Sequence, residues 1–399
     1  MISIASYLHR NELRDLIWRW VYNRPEAADA DRITRLVLFN NIYVARYLDL
    51  FANRIFSGLH DAPLRRQKVR VKKNIKDSIV ANPPYTNLRI ERLLEQYRNH
   101  PERYYRETPF HGTLFFEPIG GEDFYVGASR IKRVRRLAEK ISRRIIDRIF
   151  FTIKSQAERL ADARAKTLGI PRDQLVTAPQ DMISEFHRAE QRMLEDLKHN
   201  RDFPAGDDIV IQDVAGIKVI LENAEQKRLT DMLQEAPDTE IIEVEPHTGA
   251  YNATNIIVRH KPPVDEILAQ PLGPEMLSRM WRRGMLPDQA QESFADFVRS
   301  GESSVHIEII VSNYQEMLES EIGRCMHEDR IIEQRLRQEY RGHLAKNVEY
   351  LTEYLFAFAV SPRTECTDLP IKLWNRYLPD YYDEVIKSLF NIPPIYMGD

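Results

Sequence analysis

The chain has 399 residues, 43% apolar and 29% charged, with a formal net charge of −3. This is the composition of an ordinary globular protein long enough for two or three domains, and it excludes global disorder and any overall pull toward nucleic acid or anionic membrane. Two cysteines, Cys325 and Cys366, stand too far apart for a CxxC pair or a zinc knuckle, which fits a reducing, cytoplasmic setting. No apolar run approaches the ~20 residues of a spanning helix, and the N-terminus acquires charge by Arg10, unlike a signal peptide; no membrane association is expected.

Residues 1–60 carry apolar positions at helical spacing: Leu13, Leu16, Ile17 and Trp20, then Ile33, Leu36, Val37 and Ile42. Residues 61–125 are mixed, with a helix over Ile90 to Tyr97 and a short strand at Thr113 to Phe116 before Gly120-Gly121. From Ser129 to about Lys198 the pattern is helical and basic, interrupted at Pro171 and Pro179. Beyond a loop at Arg201 to Asp208 the character changes. Ile209 to Ile211, Ile217 to Leu221, Glu240 to Val244, Asn255 to Val258 and Val305 to Val311 read as strands, with a helix at 224–236 and a helical insertion after residue 262. Tyr314 onward is helical to about Val360, and the last forty residues are rich in proline and aromatics. The expected fold class is α+β: a mixed sheet flanked by helices. The expected division is a mainly helical region 1–120, a central domain 121–335 with insertions near 145–205 and 261–302, and a helical appendage 336–399.

Four segments carry candidate chemistry. Asp213 sits where an apolar strand begins, with Gly216 three residues later, and its carboxylate suits Mg²⁺. Glu308 lies inside an apolar strand, on one face with His306 and Ile310, where a carboxylate is costly unless paired or coordinated. The stretch Arg130 to Lys140 gathers positive charge at the start of a helix and is suited to gripping phosphate. Tyr251, just past Gly249 in a strand-connecting loop, is placed to stack on a base. Each has a plainer reading: Asp213 as a turn cap, Glu308 on a solvent-facing edge, the basic run as a solvated helix face, and Tyr251 closing its loop over the core.

Taken in order, Arg130-x-Lys132-x₇-Lys140, Asp213-Val-Ala-Gly-Ile-Lys218-Val-Ile, Gly249…Tyr251, Ile307-Glu308-Ile and Gly323-x₃-His327 resemble the RelA/SpoT synthetase domain over roughly residues 125–330. Members of that family transfer a pyrophosphoryl group from ATP to the ribose 3′-hydroxyl of a guanine nucleotide, forming an alarmone. Some toxin members instead act on adenine nucleotides or the 3′ end of tRNA. The resemblance implies a nucleotidyltransferase-like fold and an ATP-dependent pyrophosphokinase with Mg²⁺ at Asp213 and Glu308. It implies donor contacts from Arg130, Lys132, Lys140 and Lys218, and acceptor contacts from Tyr251, Asn255 and His327. It also implies a guanine nucleotide first among the acceptors, with an adenine nucleotide or tRNA as others, and a neutralising or regulatory protein partner for toxin-like members. The chain departs from the pattern at Arg136 (serine in the family), Lys218 (arginine), Asn255 (histidine), Ile310 (glutamine) and Ser312 (arginine). These departures fall mainly on the acceptor side, so the alternative is a catalytically inactive nucleotide- or RNA-binding sensor of the same fold.

Overall fold

The computed structural model describes residues 2–199, 201, 209–222, 224–249, 252–323, 340, 342–361, 363–366 and 368–375. The expected site residues Tyr251 and His327, and Cys325, lie outside them.

The N-terminal region is helical where apolar spacing predicts it. After a short strand β1 (Ile2–Ile4) come α1 (Arg10–Val21) and α2 (Asp29–Thr34), which runs through a π-helical turn into α3 (Asn40–Leu59). Trp20 and Asp29 are both buried, and the indole donates to the carboxylate at 2.9 Å, locking α1 to α2.

Seven strands form one sheet in the order β2-β3-β4-β6-β9-β8-β7. They are β2 (Arg65–Val71), β3 (Pro109–Ile119), β4 (Glu122–Ile131), β6 (Ala215–Ile220), β7 (Thr239–His247), β8 (Ala253–His260) and β9 (Val305–Ser312). A separate three-residue strand, β5 (Ile209–Ile211), pairs parallel with β1. Within the seven-stranded sheet the described pairings are antiparallel except β6 with β9. The fold is therefore α+β, with a mostly antiparallel sheet flanked by helices. The division drawn at residue 120 falls on the β3–β4 turn, and β2 and β3 belong to the same sheet as the later strands. β2 reads Arg-Arg-Gln-Lys-Val-Arg-Val, a charged edge strand of the kind that resists pairing with another chain.

Helices cover both faces. α3, the N-terminal half of the 35-residue α6 (Val134–Leu168) and the insertion helix α11 (Pro287–Ser300) pack in one large core with Ile217, Val219, Ile307, Ile309 and Val311. On the other face a smaller cluster joins α4 (Lys72–Ala81), α5 (Leu88–Asn99) and α12 (Tyr314–Leu318) to Leu114, Phe116, Tyr125 and Ala128. α7 (Pro179–Lys198) folds back on α6, and α13 (His343–Phe358) packs on α6 and α1. The sheet needs glycine at Gly127 (φ +154°): a Cβ there would lie 2.3 Å from the Lys218 carbonyl oxygen and 2.7 Å from the Phe56 ring. No described helix is long and apolar enough to cross a membrane.

Candidate functional site

The centre of the site is one row across three adjacent strands. Arg130 on β4 pairs with Gly216 on β6, and Gly216 pairs with Glu308 on β9. Cross-strand neighbours share a face, so Arg130 and Glu308 stand on either side of a residue that has no side chain. The Arg130 guanidinium crosses that gap and donates to Glu308 Oε2 at 2.6 Å. A Cβ at Gly216 would sit 3.4 Å from Arg130 Nε and 3.5 Å from Glu308 Oε2, so glycine keeps the lane open. Glu308 is 8% exposed and lies on an interior strand, which rules out the solvent-facing edge reading.

A second group assembles where β4 ends. The Lys132 backbone N–H donates to the Val214 carbonyl at 2.8 Å, bringing the start of α6 against the loop between β5 and β6. Asp213 in that loop accepts from Lys132 through Oδ2 and from Lys140, on the second turn of α6, through Oδ1 at 2.8 Å. The contacts span 81 and 73 positions of sequence. Burial disfavours ionised Asp213, but the two ammonium groups outweigh it and hold the carboxyl well below the usual carboxylate range. Burial draws Lys132 down to about 8 despite its carboxylate partner. These two shifts pull in opposite senses. Asp213 faces two cations whereas the Lys132 ammonium shares one carboxylate, so the ionised carboxylate is the firmer of the two conclusions. Arg136, at the position where the family has serine, turns aside to pair with Glu139.

The third group was not visible in the sequence. Lys218, two residues beyond Gly216 on the same face of β6, reaches Glu321 Oε1 at 3.4 Å. Glu321 lies in a one-turn π-helix, Glu319–Gly323, that follows α12. It also accepts from Lys72 at 2.7 and 2.9 Å, and its backbone carbonyl accepts from Lys76. The carboxylate is 3% exposed and Lys76 is fully buried. Burial opposes ionisation of Glu321, yet the surrounding lysines keep it well below the usual range; burial also lowers Lys218. Lys72 is 249 positions from Glu321, and no local spacing signals such a contact.

Three further residues, at positions where the resemblance implies or lacks acceptor contacts, lie on the same sheet face. Asn255 on β8 pairs with Ile310 on β9, which in turn pairs with Lys218. Ser312 is one pair further along β9 and 2% exposed. Among the described residues, Asn255 Oδ1 and Ser312 Oγ are buried without a hydrogen-bond partner. Asn252, which flanks the 250–251 segment, is fixed to α12: its backbone N–H and side-chain amide donate to the two Glu316 oxygens at 3.0 and 2.9 Å.

Arg130, Lys132, Lys140, Asp213 and Glu308 are thus joined in two contiguous ion-paired groups at one end of the sheet, and Lys218 and Asn255 lie on the same face beyond them. Among the described residues, no group of three or more His, Cys, Asp and Glu side chains is placed to hold a metal. The donor set that Mg²⁺ favours is smaller, one or two carboxylates completed by water and substrate phosphate, and Asp213 and Glu308 supply hard oxygen ligands of that type.

No family model matches the chain, and no curated protein matches it. Among solved structures, it is similar to the small alarmone synthetase 1 from Bacillus subtilis at 13% identity, with 61% of this chain and 97% of that chain covered and a TM-score of 0.16. A likeness that loose fixes neither fold family nor activity.

Proposed function

We propose that this chain is a Mg²⁺-dependent pyrophosphokinase that transfers the β,γ-pyrophosphoryl group of ATP to a 3′-hydroxyl. A guanine nucleotide is the first acceptor to test, and an adenine nucleotide or the 3′ end of tRNA the next. The observation that carries the reading is the meeting of Arg130, Lys132 and Lys140 with Asp213 and Glu308. These residues come from three separated segments, in the order in which the RelA/SpoT synthetase motifs occur.

In the reaction, the acceptor 3′-oxygen bonds to the β-phosphorus while the bond from that phosphorus to the α,β-bridging oxygen breaks, and AMP leaves. Such chemistry is governed by positioning and charge stabilisation and needs no covalent nucleophile. Lys132 and Lys140 bind the phosphate chain, exchanging Asp213 for phosphate oxygens, while Arg130 keeps Glu308 and offers the phosphate chain its remaining N–H donors. Glu308 accepts the proton of the attacking hydroxyl, and Arg130 orients its carboxylate. Asp213 and Glu308 would hold magnesium, which supplies neutralisation of triphosphate charge.

A second reading, an inactive nucleotide or RNA sensor, draws on Ile310. It places an apolar side chain between Lys218 and Asn255, where the family has glutamine. The test offers γ-³²P-ATP and Mg²⁺ with GDP, GTP, ADP, ATP and bulk tRNA in separate reactions. Label on one acceptor with AMP formed in step is the expected result. ATP bound but left intact with every acceptor would replace the enzyme by the sensor.

A further inference from the structure

We propose that Glu321 is a positioning residue for nucleotide phosphate: it fixes the Lys218 ammonium on the ligand-facing side of the sheet and anchors it to α4. The inference rests on the pyrophosphokinase reading and adds a residue outside the motifs that suggested it.

Lys218 stands two residues along β6 from Gly216, hence ~7 Å from the Arg130–Glu308 pair at the rise of a β-strand. Arg130 and Lys218 are close enough for each charge to oppose the other. A flexible lysine in that position would swing away from the guanidinium, since its four-carbon stem has many rotamers open to it. Glu321 counters this. Its carboxylate is held by Lys72 at 2.7 and 2.9 Å on one side and meets Lys218 at 3.4 Å on the other. The shorter contacts fix the carboxylate to α4, and the longer one leaves Lys218 the more readily shared of the two lysines. A phosphate oxygen arriving at Lys218 therefore finds an ammonium already aimed, with less freedom left to lose. The π-helical turn contributes by changing the helix phase directly after α12, and turns of this kind recur at functional sites. α4 belongs to the N-terminal region, so that region supplies part of the site's framework.

The test is a double-mutant cycle read by calorimetric titration of the full chain with ATP in excess Mg²⁺. Lys218→Met and Glu321→Gln are each expected to raise Kd about tenfold, at the lower end of what a charge-assisted hydrogen bond contributes. The double variant is expected to be no weaker than Lys218→Met, because Glu321 acts through that ammonium. Additive losses, or Glu321→Gln binding as tightly as the wild type, would overturn the proposal, since a framework role alone lowers Tm without coupling to Lys218. Removing a buried carboxylate among lysines is hazardous to folding. If circular dichroism shows Glu321→Gln unfolded, the same cycle is run with Glu321→Asp, which keeps the charge and shortens its reach; coupling to Lys218 is again expected and additivity again overturns. Wild-type protein that binds no ATP would instead bring down the pyrophosphokinase reading itself.

Discussion

β6 and β9 present two faces made from alternate residues of the same short segments, and the faces have opposite chemistry. Ile217, Val219, Ile307, Ile309 and Val311 point into the large core and are at most 2% exposed. Gly216, Lys218, Glu308 and Ser312 point the other way and carry charge, hydroxyl or an open lane, with the apolar Ile310 among them. The core face is close-packed, so a change of volume there costs stability. The other face sets its charges beside the smaller apolar cluster and depends on each charge having a counterpart. The side-chain period of two lets the rigidity of one face hold the geometry of the other.

The sharpest way to separate the faces is Asp213→Asn. It removes the carboxylate that Lys132 and Lys140 share and is expected to lower transfer at least about a thousandfold, on the scale of losing a principal electrostatic element. The circular dichroism spectrum should stay that of the wild type, and turnover near the wild-type rate would break the assignment. On the core face, Ile309→Ala should cost about 2–5 kcal/mol of stability by leaving a cavity. Urea titration would show this as a lower midpoint at unchanged slope, with little change in transfer rate per folded molecule. Gly216→Val tests the boundary: its branched side chain enters the lane between Arg130 and Glu308 and should weaken ATP binding about tenfold, whereas Gly216→Ala, at 3.4 Å, should nearly match the wild type. Equal binding by both variants would show that the Arg130–Glu308 contact does not matter to the ligand.

At neutral pH the smallest expected effect belongs to His260 of β8, a titratable residue on the core face of the sheet, whose ring lies 4.8 Å from that of Phe51. Burial lowers its pKa from 6.5 to about 4, despite Asp238. The unfolded chain then binds this proton more readily than the folded one, so stability is complete above about pH 6.5 and is lost as pH falls toward 4. The loss approaches about 3 kcal/mol. His260→Gln should flatten that segment of a stability-against-pH curve; an unchanged slope would show that other groups dominate it.

Much of this arrangement can be read along the chain because it is local. Alternation places Glu308 with His306 and Ile310, and β-branched runs mark β6 and β9. The basic run from Arg130 to Lys140 and the lone acid at Asp213 are visible as opposite charges in search of partners. What stays hidden is non-local or atypical. β2 hides because an edge strand of Arg and Lys lacks the apolar alternation by which strands are recognised. Residue 120 looks like a boundary because a Gly-Gly turn resembles a linker, yet it closes a hairpin. Glu321 is one acid among several in a helical stretch, and only the folded chain brings Lys72 and Lys218 to it.

The strand order has a temporal consequence. Among the described sheet strands β9 is last in sequence and yet lies between β6 and β8, so until it is in place those two strands have facing edges with nothing to pair. Synthesis runs from the N-terminus, and Arg130, Lys132, Lys140 and Asp213 all leave the ribosome well before Glu308 does. A growing chain therefore carries the basic half of the site without its central acid. Chemistry must wait for insertion of a strand into the middle of a sheet, a non-local step of the slow kind. On the pyrophosphokinase reading proposed above, the chain would hold no complete site until that strand is in place.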